Sequence, residues 1–149
     1  MIGYLAGKVI SVQEKSIIVN VTGVGYKVFV SPAVLQSITQ EDFVNLWIFT
    51  AVREDALDLF GFTSQNEQEV FELLLSVSGI GPKSALGILS VADMGSLIHA
   101  IKTEILTYLT QVSGIGKKTA ERIVIELKDK VEKIALEYTS SEPEHMRDV

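Results

Sequence analysis

The pattern of apolar and polar positions changes once along this chain of 149 residues, near Thr63. Before that point, apolar residues form short runs that are rich in Val, Ile and aromatic side chains, a pattern typical of β-strands. Beyond it, apolar residues recur three and four positions apart, as they do on amphipathic helices. The sequence therefore predicts a β-domain over residues 1–63 and an all-helical domain over residues 64–136.

The first domain contains five predicted strands. Polar or glycine-containing segments at residues 13–15 and 23–25, and a longer connection at residues 31–42, separate them. The strands are predicted at residues 4–12, 16–21, 26–30, 43–52 and 56–62. Five short strands with glycine between them fit a small closed barrel of the OB type. Together with the helices that follow, they predict the α+β fold class.

Four aromatic residues of this barrel, Tyr4, Tyr26, Trp47 and Phe49, lie within apolar strands. Barrels of this type often bind single-stranded nucleic acid by stacking bases on exposed aromatic rings. Because these four side chains have apolar neighbours, we expect them to pack in the core instead. The sequence therefore assigns no base-stacking site to the barrel.

A helix-start signal opens the second domain. Ser64 and Glu67 have the spacing of a capping box and precede an apolar run. Further helices are predicted at residues 82–89, 92–102 and 117–133, with a short turn at residues 104–109. From Glu137 onward the sequence is polar and acidic. We expect residues 137–149 to form a solvated tail or the start of a flexible linker.

A sequence repeat dominates the helical domain. Ser-Gly-Ile-Gly occurs at residues 78–81 and again at residues 113–116, with a constant offset (113 − 78 = 35). Lysine and then Ser or Thr plus Ala follow each copy. Such a repeat predicts two helix-hairpin-helix units, in which glycine permits a sharp turn with positive φ. We expect Ile80 and Ile115 to point inward, and Pro82 suits the first position of a helix.

Each predicted hairpin enters a helix, and this geometry predicts a binding site for phosphate. Backbone amides at a helix start carry partial positive charge, and glycine lets phosphate oxygens approach them. Basic side chains nearby add full charges. The predicted DNA phosphate-binding residues are Gly79, Ile80, Gly81, Lys83 and Ser84 in the first copy, and Gly114, Ile115, Gly116, Lys117, Lys118, Thr119 and Arg122 in the second.

Duplex DNA is the expected ligand of these hairpins. Neither copy has an aromatic cage for a base, so the repeated phosphates of a nucleic-acid backbone are the natural partner. Such contacts position a protein on DNA without reading its sequence. Two corners on one domain could straddle the minor groove, which is about 6 Å wide, and hold one phosphate on each strand.

Composition and charge limit the alternatives. The absence of cysteine excludes disulfides and thiol chemistry, which agrees with a reducing cytosol. The amino-terminal residues lack the features of a signal peptide, and no apolar run reaches membrane-spanning length, so we expect a cytoplasmic protein. The net charge is −6, but Lys117 to Arg122 carries three positive charges and one negative. This segment can therefore attract phosphate locally although the net charge of the whole chain is negative.

An acidic pair, Glu54 and Asp55, follows Arg53 between the last two predicted strands. Judged alone, such a hairpin tip is ordinary solvated turn chemistry. Its order relative to the other motifs changes that interpretation. The chain resembles the RuvA family of bacterial proteins, which recognise Holliday junctions. The resemblance covers essentially the whole chain. The motifs that carry it are the opening segment, the tip with the strand after it, and the two hairpins, at residues 1–7, 52–56, 59–62, 78–81 and 114–122.

The resemblance implies an assembly and a mode of DNA binding. In that family the barrel forms a fourfold homotetramer, with two tetramers face to face as a further possibility. The hairpins of each subunit hold one arm of a four-way junction, and the junction is kept open and square-planar. The family's acidic pin maps onto Glu54 and Asp55, and Arg53 beside it is a candidate DNA contact. No cofactor is implied.

The resemblance also implies partners. The family targets the hexameric ATPase RuvB to the junction for branch migration in recombination and DNA repair, and the resolvase RuvC can join. Contact with RuvB is made by a third, small helical domain after a flexible linker. We expect the sequence through Val149 to end inside that linker. Junction binding should then be retained without stimulation of the motor.

Two other classes of function stay open from the residues alone. Helix-hairpin-helix glycosylase/lyases use a hairpin lysine as nucleophile, which would nominate Lys118. The position of their assisting aspartate is Leu136 here, and no ATP-binding Gly-x-x-x-x-Gly-Lys-Ser/Thr loop occurs. His99 and His145 lie too far apart to predict a zinc site. The second class is a structural adaptor that binds protein through the barrel and never touches DNA. In such a protein, substitutions in the hairpins would not affect function.

Overall fold

A computed structural model describes residues 1–91 and 93–140 of the protein. The chain divides into two compact units, Met1–Gln68 and a second that begins at Glu69. The helix that starts at Gln65 contributes to both.

The first unit is a closed barrel of five strands. Around the barrel the order is β1-β2-β3-β5-β4, and β4 pairs with β1 to close it. All neighbours are antiparallel except β3 and β5. The strands are β1 (Tyr4–Val12), β2 (Ser16–Val21), β3 (Val24–Phe29), β4 (Phe43–Arg53) and β5 (Ala56–Phe62). With the helical unit that follows, this confirms the predicted fold class of an OB-type barrel and an all-α domain.

Alternation along the strands builds the barrel core. On β4, Val44, Leu46 and Ile48 are buried while Asn45 is exposed, because successive side chains of a strand point to opposite faces. Gly61 on β5 also faces the interior. A Cβ at Gly61 would lie 2.7 Å from Val28 Cγ1, so a larger residue there would force Val28 to shift.

The parallel seam between β3 and β5 has little backbone pairing. Within the described barrel it pairs Val28 with Leu59 and Phe29 with Phe60. The rings of Phe29 and Phe60 lie 5.6 Å apart between centroids and support the seam.

Three predicted strand boundaries differ from the structure. β3 ends at Phe29, one residue earlier than predicted. β3 begins at Val24 because Thr22 and Gly23, with φ of 49° and 97°, suffice to make the turn after β2. β4 extends to Arg53, and a turn of two residues leads to Ala56.

The aromatic side chains are less buried than the sequence predicts. Tyr4 is 48% exposed, and its ring meets the edge of Trp47 at 5.1 Å between centroids. Trp47 and Phe49 are half-buried, whereas Tyr26 packs partly against the core. The expectation of core packing is therefore wrong for Tyr4.

The helices are α1 (Pro32–Ser37), α2 (Gln65–Leu75), α3 (Pro82–Val91), α4 (Met94–Lys102), α5 (Leu106–Thr110) and α6 (Lys117–Ser140). The start of α2 follows the predicted cap, since Glu67 N donates to Ser64 Oγ at 3.2 Å. The Glu67 carboxylate, however, accepts from the amide and hydroxyl of Thr63.

Five helices depart from prediction. α3 continues to Val91, two residues beyond its predicted end, and α5 is a short helix where the sequence predicts a turn at residues 104–109. α1 lies in a segment predicted to be a plain connection, and Ser31 caps it. α4 begins two residues later than expected, because Asp93 caps it by accepting from Ser96 N at 2.7 Å. α6 continues to Ser140, beyond the predicted end at residue 133 and into the segment expected to be a tail. Residues 141–149 of that predicted tail lie outside the described residues.

Among the helices of the described residues, none is by itself long and apolar enough to cross a membrane. Taken together, α3 and α4 have the length and the apolar composition of a membrane-spanning segment, but they are bent by 100° at the break between them.

Candidate nucleic-acid interface

The two repeats fold into matching hairpins, here called hairpin 1 (residues 77–81) and hairpin 2 (residues 112–116). In hairpin 1, Ile80 N donates to Val77 O at 3.2 Å. In hairpin 2, Ile115 N donates to Val112 O at 3.1 Å. The sequence repeat is therefore a repeat of backbone geometry as well.

The helices that follow the hairpins begin in the same way. Ala85 N donates to Gly81 O at 3.0 Å at the start of α3, and Ala120 N donates to Gly116 O at 2.9 Å at the start of α6. Each second glycine is thus the last residue before its helix. We call each hairpin, together with the first turn of its helix, a phosphate corner.

The first glycine of each hairpin has the positive φ that the sequence predicts. Gly79 has φ of 93° and Gly114 has φ of 89°, a region that side chains other than glycine rarely adopt. The second glycines, Gly81 and Gly116, have no positive φ, and a Cβ at either position would meet nothing within 4 Å.

Ile80 and Ile115 point inward and are 6% and 4% exposed. Their amides are already used inside the hairpins by the bonds to Val77 O and Val112 O. Although the sequence predicts both among the phosphate-binding residues, the structure gives their side chains an anchoring position in the core.

Backbone amides at the starts of the two helices that follow the hairpins have no hydrogen-bond acceptor. Within the described residues there are three of them at the start of α3 and four at the start of α6. Pro82 causes the difference, because it has no N–H where the second repeat has Lys117. These free amides belong to Gly81, Lys83 and Ser84 at the start of α3 and to Gly116, Lys117, Lys118 and Thr119 at the start of α6.

Lys83, Lys117 and Lys118 are exposed beside these amides. None of the three forms an ion pair with another described residue. Each corner therefore combines free backbone donors with mobile positive charge, the donor set that suits a phosphate oxygen.

Arg122 is arranged differently from the three lysines. Its guanidinium Nη1 donates to Ser78 O at 3.4 Å, so the side chain of one repeat reaches the hairpin of the other. Its remaining donors stay exposed.

The hydroxyl-bearing residue of each repeat also lies close to the hairpin of the other repeat. A Cβ at Gly79 would lie 3.9 Å from Thr119 Oγ1, and a Cβ at Gly114 would lie 3.3 Å from Ser84 Oγ. Ser84 and Thr119 are half-buried. Each lies beside the opposite hairpin as well as at its own helix start.

The acidic pair forms the tip of the β4–β5 hairpin. Glu54 and Asp55 make up its two-residue turn, and both are exposed. Arg53 turns back along the hairpin, where its Nη2 lies 3.0 Å from Asp58 Oδ2. The predicted candidate DNA contact Arg53 is thus engaged with an acid. Among the described residues no cation pairs with the two tip carboxylates, which therefore carry uncompensated negative charge.

Sequence reasoning missed two residues of this interface. Asp58 was not predicted because its pairing with Arg53 depends on the register of the β4–β5 hairpin. Gly87 lies on α3, where a glycine inside a helix is itself a signal of close approach that could have found it. A Cβ there would lie 2.8 Å from Val112 Cγ1.

In the described part of the chain, no three His, Cys, Asp or Glu side chains come together in a way that could hold a metal ion. His99 is exposed on α4. His145 and the side chain of Leu136 lie outside what the structure describes.

Comparisons with known families agree with both units. Residues 1–61 match the family described as RuvA N terminal domain, and residues 71–129 match the SAM-like helix-hairpin-helix tandem. Among similar proteins are three called Holliday junction branch migration complex subunit RuvA. The one from Limosilactobacillus fermentum is 46% identical over 147 residues, which cover 96% of this chain and 74% of the relative.

The second, from Limosilactobacillus reuteri, is 47% identical over 131 residues, covering 88% of this chain and 66% of the relative. The third, from Acinetobacter baumannii, is 42% identical over 135 residues, covering 91% and 68%. The chain thus spans between 66% and 74% of the length of these three relatives. With a barrel, an acidic hairpin tip and paired hairpins in that order, the chain belongs to the RuvA family.

Proposed function

We propose that this chain is a non-catalytic DNA-binding subunit that recognises four-way (Holliday) junctions and holds them open and square-planar. In this role its two phosphate corners grip one duplex arm. The acidic tip excludes DNA that is not branched. The duplex is bound by its backbone, without reading of base sequence.

The observation that carries the proposal is the pair of matched corners. Seven amides without acceptors are presented at two helix starts with the same backbone geometry. Because phosphate contacts come from backbone amides and lysines, the site suits any duplex sequence. The proposed phosphate ligands are the free amides, supported by Lys83, Lys117 and Lys118.

Selectivity for branched DNA is proposed to come from Glu54 and Asp55. In a fourfold homotetramer, eight tip carboxylates would surround the centre and repel the phosphates of a duplex that runs straight across. The strands of an open junction separate at the middle and avoid that repulsion. Attraction by the corners and exclusion by the tips together give specificity.

The assembly and partners follow the family. We propose a homotetramer, with an octamer of two tetramers as the larger form, that acts in the cytoplasm and targets the RuvB ATPase for branch migration. ATP hydrolysis then belongs to RuvB, and RuvC resolves the junction. The RuvA relatives are longer than the matched region, so contact with RuvB is proposed to need residues beyond those matched here.

The direct test compares binding to a four-way junction and to a linear duplex with the sequence of one arm, using native gel shifts. Gly79→Val with Gly114→Val should abolish binding to both DNAs, because both glycines need positive φ. Glu54→Gln with Asp55→Asn should raise affinity for linear duplex and narrow the preference for the junction.

A matched control removes the same charge elsewhere on the barrel. Glu14 and Glu41 are exposed and lie at the end of the barrel opposite the β4–β5 turn. Glu14→Gln with Glu41→Gln should leave the ratio of the two affinities unchanged. Binding that survives the glycine pair would refute the corners as the DNA site and favour a protein-binding adaptor.

A further inference from the structure

We infer that each repeat positions the hairpin of the other, with Gly87 and Arg122 as the positioning residues that set the separation of the two phosphate corners. This inference rests on the proposed function, since it concerns how the proposed DNA site is held in shape. It adds two residues whose effect is exerted on the opposite hairpin.

Reciprocal contacts between the repeats are the first step. The Thr119 hydroxyl lies beside Gly79, and the Ser84 hydroxyl lies beside Gly114. Adding the repeat offset of 35 to Gly79 and Ser84 gives Gly114 and Thr119. A local twofold relation within the helical unit therefore exchanges the two contacts.

The same offset relates Gly87 to Arg122. Gly87 on α3 leaves room for Val112, where hairpin 2 begins, and a Cβ at Gly87 would lie only 2.8 Å from Val112 Cγ1. Arg122 on α6 donates to Ser78 O in hairpin 1 at 3.4 Å. One residue acts by leaving space and its counterpart acts by a hydrogen bond, and each acts on the other repeat.

A side chain at Gly87 should therefore move hairpin 2. Two carbon atoms in contact are about 3.5–4.0 Å apart, so a Cβ at 2.8 Å forces Val112 away. Val112 O accepts from Ile115 N, which couples this movement to the rest of hairpin 2. Among the described residues, no atom of hairpin 1 lies within 4 Å of that Cβ position. The distance between the corners therefore changes while hairpin 1 keeps its form.

The test is a set of double-mutant cycles on four-way junction binding. Gly87→Val should weaken binding at least tenfold and make the dependence of log K on log salt less steep by about 0.9 for each phosphate that is no longer neutralised. In the Gly87→Val background, Lys118→Ala in the phosphate corner of hairpin 2 should have almost no further effect. Lys83→Ala in the phosphate corner of hairpin 1 should keep its full effect.

Arg122→Ala should give the opposite pattern. In the Arg122→Ala background, Lys83→Ala should have almost no further effect on junction affinity, whereas Lys118→Ala should keep its full effect. If Arg122 instead acted only as a phosphate ligand beside hairpin 2, its effect and that of Lys83→Ala would add. If the effects of Lys83→Ala and Lys118→Ala on junction binding both added fully to that of Gly87→Val, the inference would be overturned. That result would mean that Gly87→Val causes a general loss of stability, which affects both corners alike.

A control and a rescue address folding. Gly95→Ala adds the same methyl to another helix, where it would make an ordinary contact of 3.5 Å with Asp93 Oδ1, and junction affinity should be unchanged. Gly87→Ala should weaken binding less than Gly87→Val. Val112→Ala, which removes the clashing methyl, should restore binding to Gly87→Ala; failure of this rescue in a folded protein would contradict the mechanism.

A measurement without DNA separates this inference from the proposed function. In ¹H–¹⁵N spectra, Gly87→Ala should shift the amides of residues 112–119 while those of residues 77–81 stay in place. Shifts of equal size in both hairpins would overturn the positioning role even if the wild type binds junctions. A wild type that binds no junction would remove the proposed function, and the spectra would still decide whether Gly87 positions hairpin 2.

Discussion

The charge of the β4–β5 tip can be altered in unit steps by amide substitutions. Arg53 lies 3.0 Å from Asp58, and Glu54 and Asp55 are exposed at the turn. Three acids and one base give the tip a net charge of −2. Arg53→Gln makes it −3, Asp58→Asn makes it −1 and frees Arg53, and Glu54→Gln with Asp55→Asn makes it zero.

Each step has a size that follows from Coulomb's law. A unit charge about 6 Å from a phosphate contributes about 0.7 kcal/mol in water. At physiological ionic strength, with a Debye length of about 8 Å, screening leaves about 0.3 kcal/mol. A duplex crossing the centre of a fourfold assembly faces two to four tips. Each unit step should then change its dissociation constant by about threefold to tenfold.

Fluorescence anisotropy with a labelled junction and a labelled linear duplex measures the preference for the junction, as the dissociation constant of the duplex divided by that of the junction. That ratio should rise in the order Glu54→Gln/Asp55→Asn, Asp58→Asn, wild type, Arg53→Gln. The differences should shrink as salt is raised, because the Debye length shortens. If all four proteins gave the same ratio in low salt, exclusion by tip charge would be refuted. Thermal melting of each variant controls for folding.

Three further predictions concern stability. Gly61→Ala should lower the free energy of unfolding by about 1–3 kcal/mol in urea titrations, since the methyl would lie 2.7 Å from Val28 Cγ1. Thr22→Asn should raise it by up to about 1 kcal/mol, because asparagine adopts the positive φ of that turn more readily; an unchanged urea midpoint would contradict this. The hydrogen bond from Ser96 N lowers the pKa of Asp93 from its ordinary value of 3.8. Its stabilisation is therefore present above that value and lost as the pH falls through the folded-state pKa. The melting temperature of the wild type should exceed that of Asp93→Asn near neutral pH, and calorimetry should find the difference vanishing in acid.

The strands are largely predictable because their signal is local. Alternation with period two and short polar or glycine-containing turns locate β1, β2 and β5 to the residue. α1 escapes prediction because its six residues are too few for a helical period, although Ser31 before Pro32 is a helix-start signal. The predicted end of α6 is too early, even though buried Val131 and Ile134 continue its apolar stripe.

The candidate site is predictable in its backbone and only partly in its side chains. Two identical glycine patterns predict two identical turns, and the positive φ of Gly79 and Gly114 confirms this. The crossing of Arg122 to Ser78 and the fit of Val112 against Gly87 depend on how the repeats pack together. Sequence spacing does not encode that packing, which joins residues far apart along the chain.

The short seam between β3 and β5 bears on how the barrel opens. Two residue pairs hold it, whereas β4 and β5 share seven along their length. Local opening starts where the fewest bonds must break, so backbone protection from hydrogen exchange should be lowest at this seam. An opened seam exposes two strand edges, and such edges are templates for aggregation. The contact between the tilted rings of Phe29 and Phe60 holds the seam closed, and it therefore protects the protein against self-association by making such openings rarer.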